Sequence, residues 1–72
     1  MRVTYDASVD AAYIQLVDDI GAGGVANTYP CDPREVGGMI NLDFDSAGRL
    51  VGVEVLDASK LLPPEILERA ER

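Results

Sequence analysis

Between Met39 and Asp57, apolar side chains fall at 40, 42 and 44, a Gly-containing turn follows, and apolar side chains resume at 51, 53 and 55. A period of two on both sides of a turn predicts a β-hairpin over 39–57 with one buried face. Pairing like with like sets the register: Phe44 faces Val51, Leu42 faces Val53 and Ile40 faces Val55. That register demands an even loop, either Ala47-Gly48 alone or Ser46 to Arg49, because a one-residue slip turns every valine to the wrong face. The four-residue loop with Gly48 left-handed is favoured, since Ala tolerates positive φ poorly. The other face then shows Asn41, Asp43, Asp45 and Glu54, with Gly52 leaving a gap beside Asp43.

Alternation also marks Arg2 to Asp6, with Val3 and Tyr5 on one side, and Ala11 to Val17, with Ala12, Ile14 and Leu16 on one side. Between them, Asp6 or Ser8 is placed to cap a single helical turn. Asp18 to Gly24 reads as a loop, and Val25 to Tyr29 as a short strand ended by Pro30 and Pro33, which cannot donate to a ladder. Asp32-Pro33-Arg34-Glu35 has the form of an N-cap, a first-turn Pro and an acid at N3, and Gly37 and Gly38 limit it to one turn. Pro63 and Pro64 open a last helix with Leu62, Ile66 and Ala70 on one face and favourable i,i+4 pairs Glu65–Arg69 and Glu68–Arg72. This helix is expected to dock on the sheet or on a neighbouring subunit through Leu61, Leu62, Ile66 and Leu67. The expected fold is α+β: a four- or five-stranded antiparallel sheet, a meander with the hairpin at 39–57, plus one short C-terminal helix, in a single domain over 1–72.

Size changes the picture. A chain of 72 residues buries only about 60% of the surface its unfolded form exposes. Such small cores are often supplemented by a disulfide, a metal or a partner subunit. With one cysteine and no histidine, an internal disulfide is impossible and a homodimer is the expected supplement. The formal net charge of −7, from 13 acids and 6 bases, repels nucleic-acid backbones and anionic membranes and attracts a basic protein partner. No basic segment precedes an apolar run at the N-terminus, and no stretch is long enough to span a bilayer. Cytoplasmic residence is expected, and a lone Cys31 suits a reducing compartment.

The candidate chemistry is thin. The calcium-loop template laid on Asp43 matches Asp45, Gly48 and Glu54, but Ala47 offers no ligand oxygen and the flanks alternate as strands rather than helices. The acid pairs Asp6/Asp10, Asp18/Asp19 and Asp43/Asp45 need a pocket to raise one pKa before they act as acid and base. Cys31 lacks a histidine to activate it and sits beside Asp32. Gly21-Ala22-Gly23-Gly24 lacks the spacing of a phosphate loop. Tyr5, Tyr13 and Tyr29 lie on strands without basic neighbours and read as half-buried contact residues. No catalytic, metal or cofactor-binding residue is assigned, and no cofactor is implied.

The motifs V-T-Y-D at 3–6, D-A-A-Y-I-Q-L at 10–16 and N-L-D-F-D-S-A-G-R-L-V-G-V-E-V-L-D-A-S at 41–59 resemble the bacterial family known as domain of unknown function 2283 (DUF2283). Departures are the Gly-rich loop at 18–24, the Pro-Cys-Asp-Pro segment at 30–33 and the final Leu-Pro-Pro helix. The resemblance implies a small β-rich fold with helix and no assigned activity or catalytic residues. Neighbouring toxin-like genes in such families imply an antitoxin or partner-binding role. The expected function is a non-enzymatic protein–protein interaction module, an antitoxin-like partner of a small basic protein. The alternatives are a self-assembling homo-oligomer and, further off, an acid-dependent hydrolase or divalent-metal binder.

Overall fold

The alternating runs become five strands: β1 (Arg2–Asp6), β2 (Ala11–Gln15), β3 (Asn27–Pro30), β4 (Ile40–Phe44) and β5 (Leu50–Leu56). Three short helices accompany them, α1 (Pro33–Val36), α2 (Ala58–Leu61) and α3 (Pro64–Arg69), in a computed structural model that describes all 72 residues. Every strand pair is antiparallel, and the sheet order is β1-β2-β5-β4-β3. β3, β4 and β5 form a meander that turns back so that β5 pairs with β2. The α+β class with a five-stranded antiparallel sheet is the one the periodicity predicts.

The hairpin register holds at one end and slips at the other. Ile40 faces Val55 and Leu42 faces Val53, but Phe44 faces Leu50 rather than Val51, across a β-bulge at Asp43/Phe44. The turn is the cause. Gly48 sits at φ +80°, its N–H donates to Asp45 O at 3.0 Å, and Asp45 N–H donates to Arg49 O at 2.8 Å. Closure on Asp45 and Arg49 leaves Ser46-Ala47-Gly48 as an odd loop with its last residue left-handed, a favoured hairpin geometry. The odd loop slips the register, and the bulge absorbs the slip by leaving Val51 as an extra residue on β5. Val51 is still only 6% exposed, so the apolar face survives the irregularity.

That face carries the core. Tyr5, Ala12, Val55 and Ile40 form one row across β1, β2, β5 and β4. Ala12 and Val55 are buried against Ala58 of α2 and Leu67 of α3, with Tyr5, Ile40, Val53, Leu61 and Leu62 around them. Alanines at 12 and 58 let α2 approach the sheet closely. Of the residues expected to dock, Leu61, Leu62 and Leu67 do so in this cluster.

Several ends differ from the sequence reading. Residues 7–10 form a hydrogen-bonded turn rather than a helical one, with the Ser8 N–H and Oγ both donating to Asp6 Oδ1. α1 follows the predicted cap: Arg34 N–H donates to the Asp32 side chain, and Gly37 is left-handed. Pro30 does not stop β3 but ends it as a paired residue opposite Asn41. Because Cys31 N–H points inward to Ile40 O, alternation turns Pro30 outward, where a missing donor costs the ladder nothing. The last helix is split by Pro63, adding the unforeseen turn α2, and it ends at Arg69. The only ion pairs are Arg2–Glu71, Arg34–Asp32 and Arg49–Asp45, so neither predicted i,i+4 pair of the last helix forms.

Only 6 of 72 residues are buried, so each buried apolar side chain holds a large share of a stability of roughly 4–10 kcal/mol. Leu67→Ala is expected to lower unfolding free energy by about 2–4 kcal/mol. Val9→Ala, at a site 65% exposed, should change it by less than about 0.5 kcal/mol. Urea denaturation of both variants checks the contrast.

Candidate functional site

Three arrangements of polar groups stand out, and each is assembled by the sheet register. The first lies on the face away from the helices. Tyr13 faces Glu54 across β2–β5, Glu54 faces Asn41 across β5–β4, and Asp43 faces Gly52. Asn41 Nδ2 donates to Glu54 Oε1 at 2.8 Å. Asp43 accepts from Tyr13 Oη at 2.8 Å and from Thr28 Oγ1 at 2.7 Å. The gap above Gly52 is therefore filled: the Tyr13 ring crosses it to reach Asp43, and a methyl group at 52 would overlap the phenol. Burial, together with the hydrogen bond to Asp43, pushes the Tyr13 phenol up to about 12.

Asp45, grouped with these residues on sequence, leaves the face. Its carboxylate folds over the turn and accepts from Ala47 N–H and Arg49 N–H, and the Arg49 backbone bond chiefly holds its pKa down. The carboxylates of the partial calcium pattern thus serve separate partners: Asp43 binds Tyr13 and Thr28, Asp45 the turn, and Glu54 Asn41. No group of three or more Asp, Glu, Cys or His side chains converges on a point that would hold a metal ion.

The second arrangement is centred on Asp10, one of two non-glycine residues with positive φ; the other is Asp57. Asp57 precedes α2 but makes no side-chain cap bond. Asp10 supplies the cap instead. Its Oδ1 accepts from Ser59 N–H at 3.0 Å and from Tyr5 Oη at 2.6 Å, its Oδ2 from Ser59 Oγ at 2.6 Å, and its carbonyl from Ala58 N–H at 2.9 Å. The bonds from Ser59 and Tyr5 hold the Asp10 carboxyl below the usual range, and the bond to Asp10 raises the Tyr5 phenol. A carboxylate so stabilised is a weak base, so Ser59 gains little nucleophilicity from it.

The third arrangement closes the free edge of β1. After α3, Glu71 pairs with Thr4 in parallel: Glu71 N–H donates to Val3 O and Tyr5 N–H donates to Glu71 O, both at 2.8 Å. Arg2 Nε meets Glu71 Oε2 at 2.9 Å, and the Arg72 guanidinium lies 4.8 Å from the centre of the Tyr5 ring. Tyr5 therefore has the basic neighbour that its sequence context does not show. Tyr29, expected to be half-buried, is 61% exposed because β3 is the other end of the sheet. An open concavity of about 710 Å³ beside the Glu71 strap is lined by Thr4, Tyr5, Asp6, Tyr13, Glu54 and Arg72, among others.

The remaining candidates stay apart. Asp6 is committed to Ser8 and Asp19 to Gly21 N–H. Cys31 is a free, partly buried thiol. Gly21 and Gly23 have positive φ in an irregular loop with no helix after it. No helix is long and apolar enough to cross a membrane.

The class these features define is a small α+β domain, one antiparallel sheet with short helices on one face and several polar side chains bonded to one another across its strands. Residues 2–59 match the family model described as protein of unknown function (DUF2283), and the chain belongs to that family. No curated protein and no solved structure matches it. The motifs that carried the resemblance meet at the Asp10 cap: Tyr5 from the first, Asp10 and Ala12 from the second, Ala58 and Ser59 from the third. Residues 60–72, which include α3 and the strap, lie beyond the matched segment.

Two outcomes test this geometry. Gly52→Ala should cost about 1–3 kcal/mol by displacing Tyr13, and in a Tyr13→Ala background most of that cost should vanish, as a double-mutant cycle in urea would show. The Tyr13 phenol is raised above its model-peptide value of 10.0 to about 12. Its contribution to stability is therefore intact below pH 10 and lost as the pH rises toward 12. Asp43→Asn should lower the tyrosinate midpoint in an absorbance titration, leaving the part due to burial.

Proposed function

We propose that this chain is a non-enzymatic protein–protein interaction module that binds a small basic protein, in the manner of an antitoxin-like partner. The carrying observation is the acid surplus that the fold leaves free. Of 6 bases against 13 acids, Arg2, Arg34 and Arg49 are already paired internally, and Arg72 is drawn onto Tyr5. The field of such a surface selects basic partners and accelerates their encounter. Catalysis is less well supported, because the hydroxyls and carboxylates that approach one another are tied into hydrogen bonds that stabilise their resting protonation states. Cytoplasmic residence accords with the single free thiol.

Self-assembly into a homo-oligomer is the second reading, and the observation favouring it is the free edge strand β3, all four of whose residues are exposed. Pro30 weakens that reading, since it removes an outward donor from the edge.

Affinity capture from native expression, with light scattering on the purified chain, separates the two. The expected result is a basic partner held at low salt and released as the Debye length falls from about 10 Å at 0.1 M to about 3 Å at 1 M. Absence of any partner at low salt removes the leading reading. A homo-oligomer that persists at high salt without a partner supports the second.

A further inference from the structure

We propose that the outer edge of β1 is a strand-accepting site for an extended basic segment of the partner, held closed in the free chain by residues 70–72. This deepens the reading of the chain as a binder of a basic protein by stating where that protein docks.

The strap already occupies the site as a ligand would. Val3 O and Tyr5 N–H point outward, as their bonds to Glu71 show. A residue's N–H and C=O leave a strand on the same side, so Val3 N–H and Tyr5 O point outward too. One isolated bridge at Thr4–Glu71 leaves those two groups without a strand partner. An incoming strand would engage all four, the backbone basis of recognition by strand addition.

The side chains point to the chemistry of that strand. Arg72 is the resident cation, seated over Tyr5 at 4.8 Å in a concavity that Asp6 and Glu54 also line. A second open concavity of about 430 Å³, lined by Met1, Val3, Ile66 and Arg69, lies beside the first, and the two share Arg2 and Glu71. The Arg2–Glu71 pair is thus the wall between two recesses flanking β1. Tyr5, Val3 and Ile66 all lie on the side of the sheet that carries the helices. Side chains of an extended segment return to one face every second residue, so the recesses suit a strand with an Arg or Lys toward Tyr5 and, two residues away, an apolar residue toward Val3 and Ile66.

The strap is also held loosely. Both members of the Arg2–Glu71 pair are 57% exposed, and surface pairs of this kind add little. The rival edge offers less: β3 is four residues long and turns Pro30 outward, whereas the five residues of β1 include no proline.

The test is an NMR titration of the full chain with a short synthetic peptide that carries an Arg and a Val two residues apart, and with the same peptide carrying Gln for Arg. Glu71→Pro removes the N–H that bonds Val3 O and loosens the strap. It should bind the Arg peptide at least about tenfold more tightly than wild type, or about 1.4 kcal/mol, with shifts centred on Val3 to Tyr5. The Gln peptide should bind either chain about tenfold more weakly than the Arg peptide. Equal affinity for wild type and variant, or shifts centred on β3, overturns the proposal. Should Glu71→Pro not fold, Arg72→Ala leaves both backbone bonds and frees the Tyr5 face; it too should tighten Arg-peptide binding, and unchanged affinity overturns the proposal. A captured basic partner whose shifts map away from β1 overturns this docking site while leaving the functional reading intact. Peptide binding at β1 with no captured partner supports the site and removes the functional reading.

Discussion

The Asp10 carboxylate joins parts of the chain that no other side-chain hydrogen bond connects. α2 is one turn long and cannot persist by its own backbone bonds, because a first helical turn costs more order than it returns. Its preceding residue, Asp57, is left-handed and makes no side-chain cap bond. Asp10 reaches across 49 positions to bond the N–H and hydroxyl of Ser59, and its other neighbour is Tyr5 on β1. The β1–β2 turn, the start of α2 and the first strand are thereby fixed relative to one another. Ala58 can then reach full burial against Ala12 and Val55, and the chain continuing through Pro63 returns to seat Leu67.

With so small a core, the sheet's two ends have to be managed rather than buried. Exposed edge strands invite pairing with other chains, and proteins blunt them with proline, brevity or a covering segment. This chain uses different means at each end. β3 is short and turns Pro30 outward, a permanent block because no conformational change restores the missing N–H. β1 is covered by two backbone bonds from Glu71, a reversible block. The asymmetry bears directly on the proposed docking site, since only a reversible cover can be exchanged for another strand.

Much of the fold was legible from local pattern. Ile40–Val55 and Leu42–Val53 follow from period two, and α1 follows from Asp32, Pro33 and Gly37. What was not legible depended on partners far along the chain or on parity. Phe44–Val51 failed because Gly48 favours an odd loop, a preference the even-loop argument ranked below apolar pairing; a bulge reconciled the two. The gap over Gly52 was visible, but its occupant was not, because Tyr13 comes from a strand whose pairing with β5 the sequence does not announce. Sequence spacing paired Asp10 with Asp6, because its partner in the fold, Ser59, carries no local signal. The last helix shortened for the same kind of reason: Glu65, Arg69, Glu68 and Arg72 have helical spacing, yet Glu71 gains two sheet bonds only by leaving the helix after Arg69.

The bonding of the polar groups favours the proposed binding role over catalysis. A catalytic carboxylate or hydroxyl must change its protonation state or partner during reaction, at modest cost. Here Asp10 is held ionised by Ser59 and Tyr5, and Tyr13 is held neutral by burial and Asp43. Each such bond deepens the resting state and raises the cost of leaving it. The same bonds position Tyr5 on β1 and the polar row of β2, β4 and β5, and a pre-organised surface loses less conformational freedom when a partner docks. Hydrogen bonding that weakens these groups as acids and bases suits them to the frame that the proposed recognition requires.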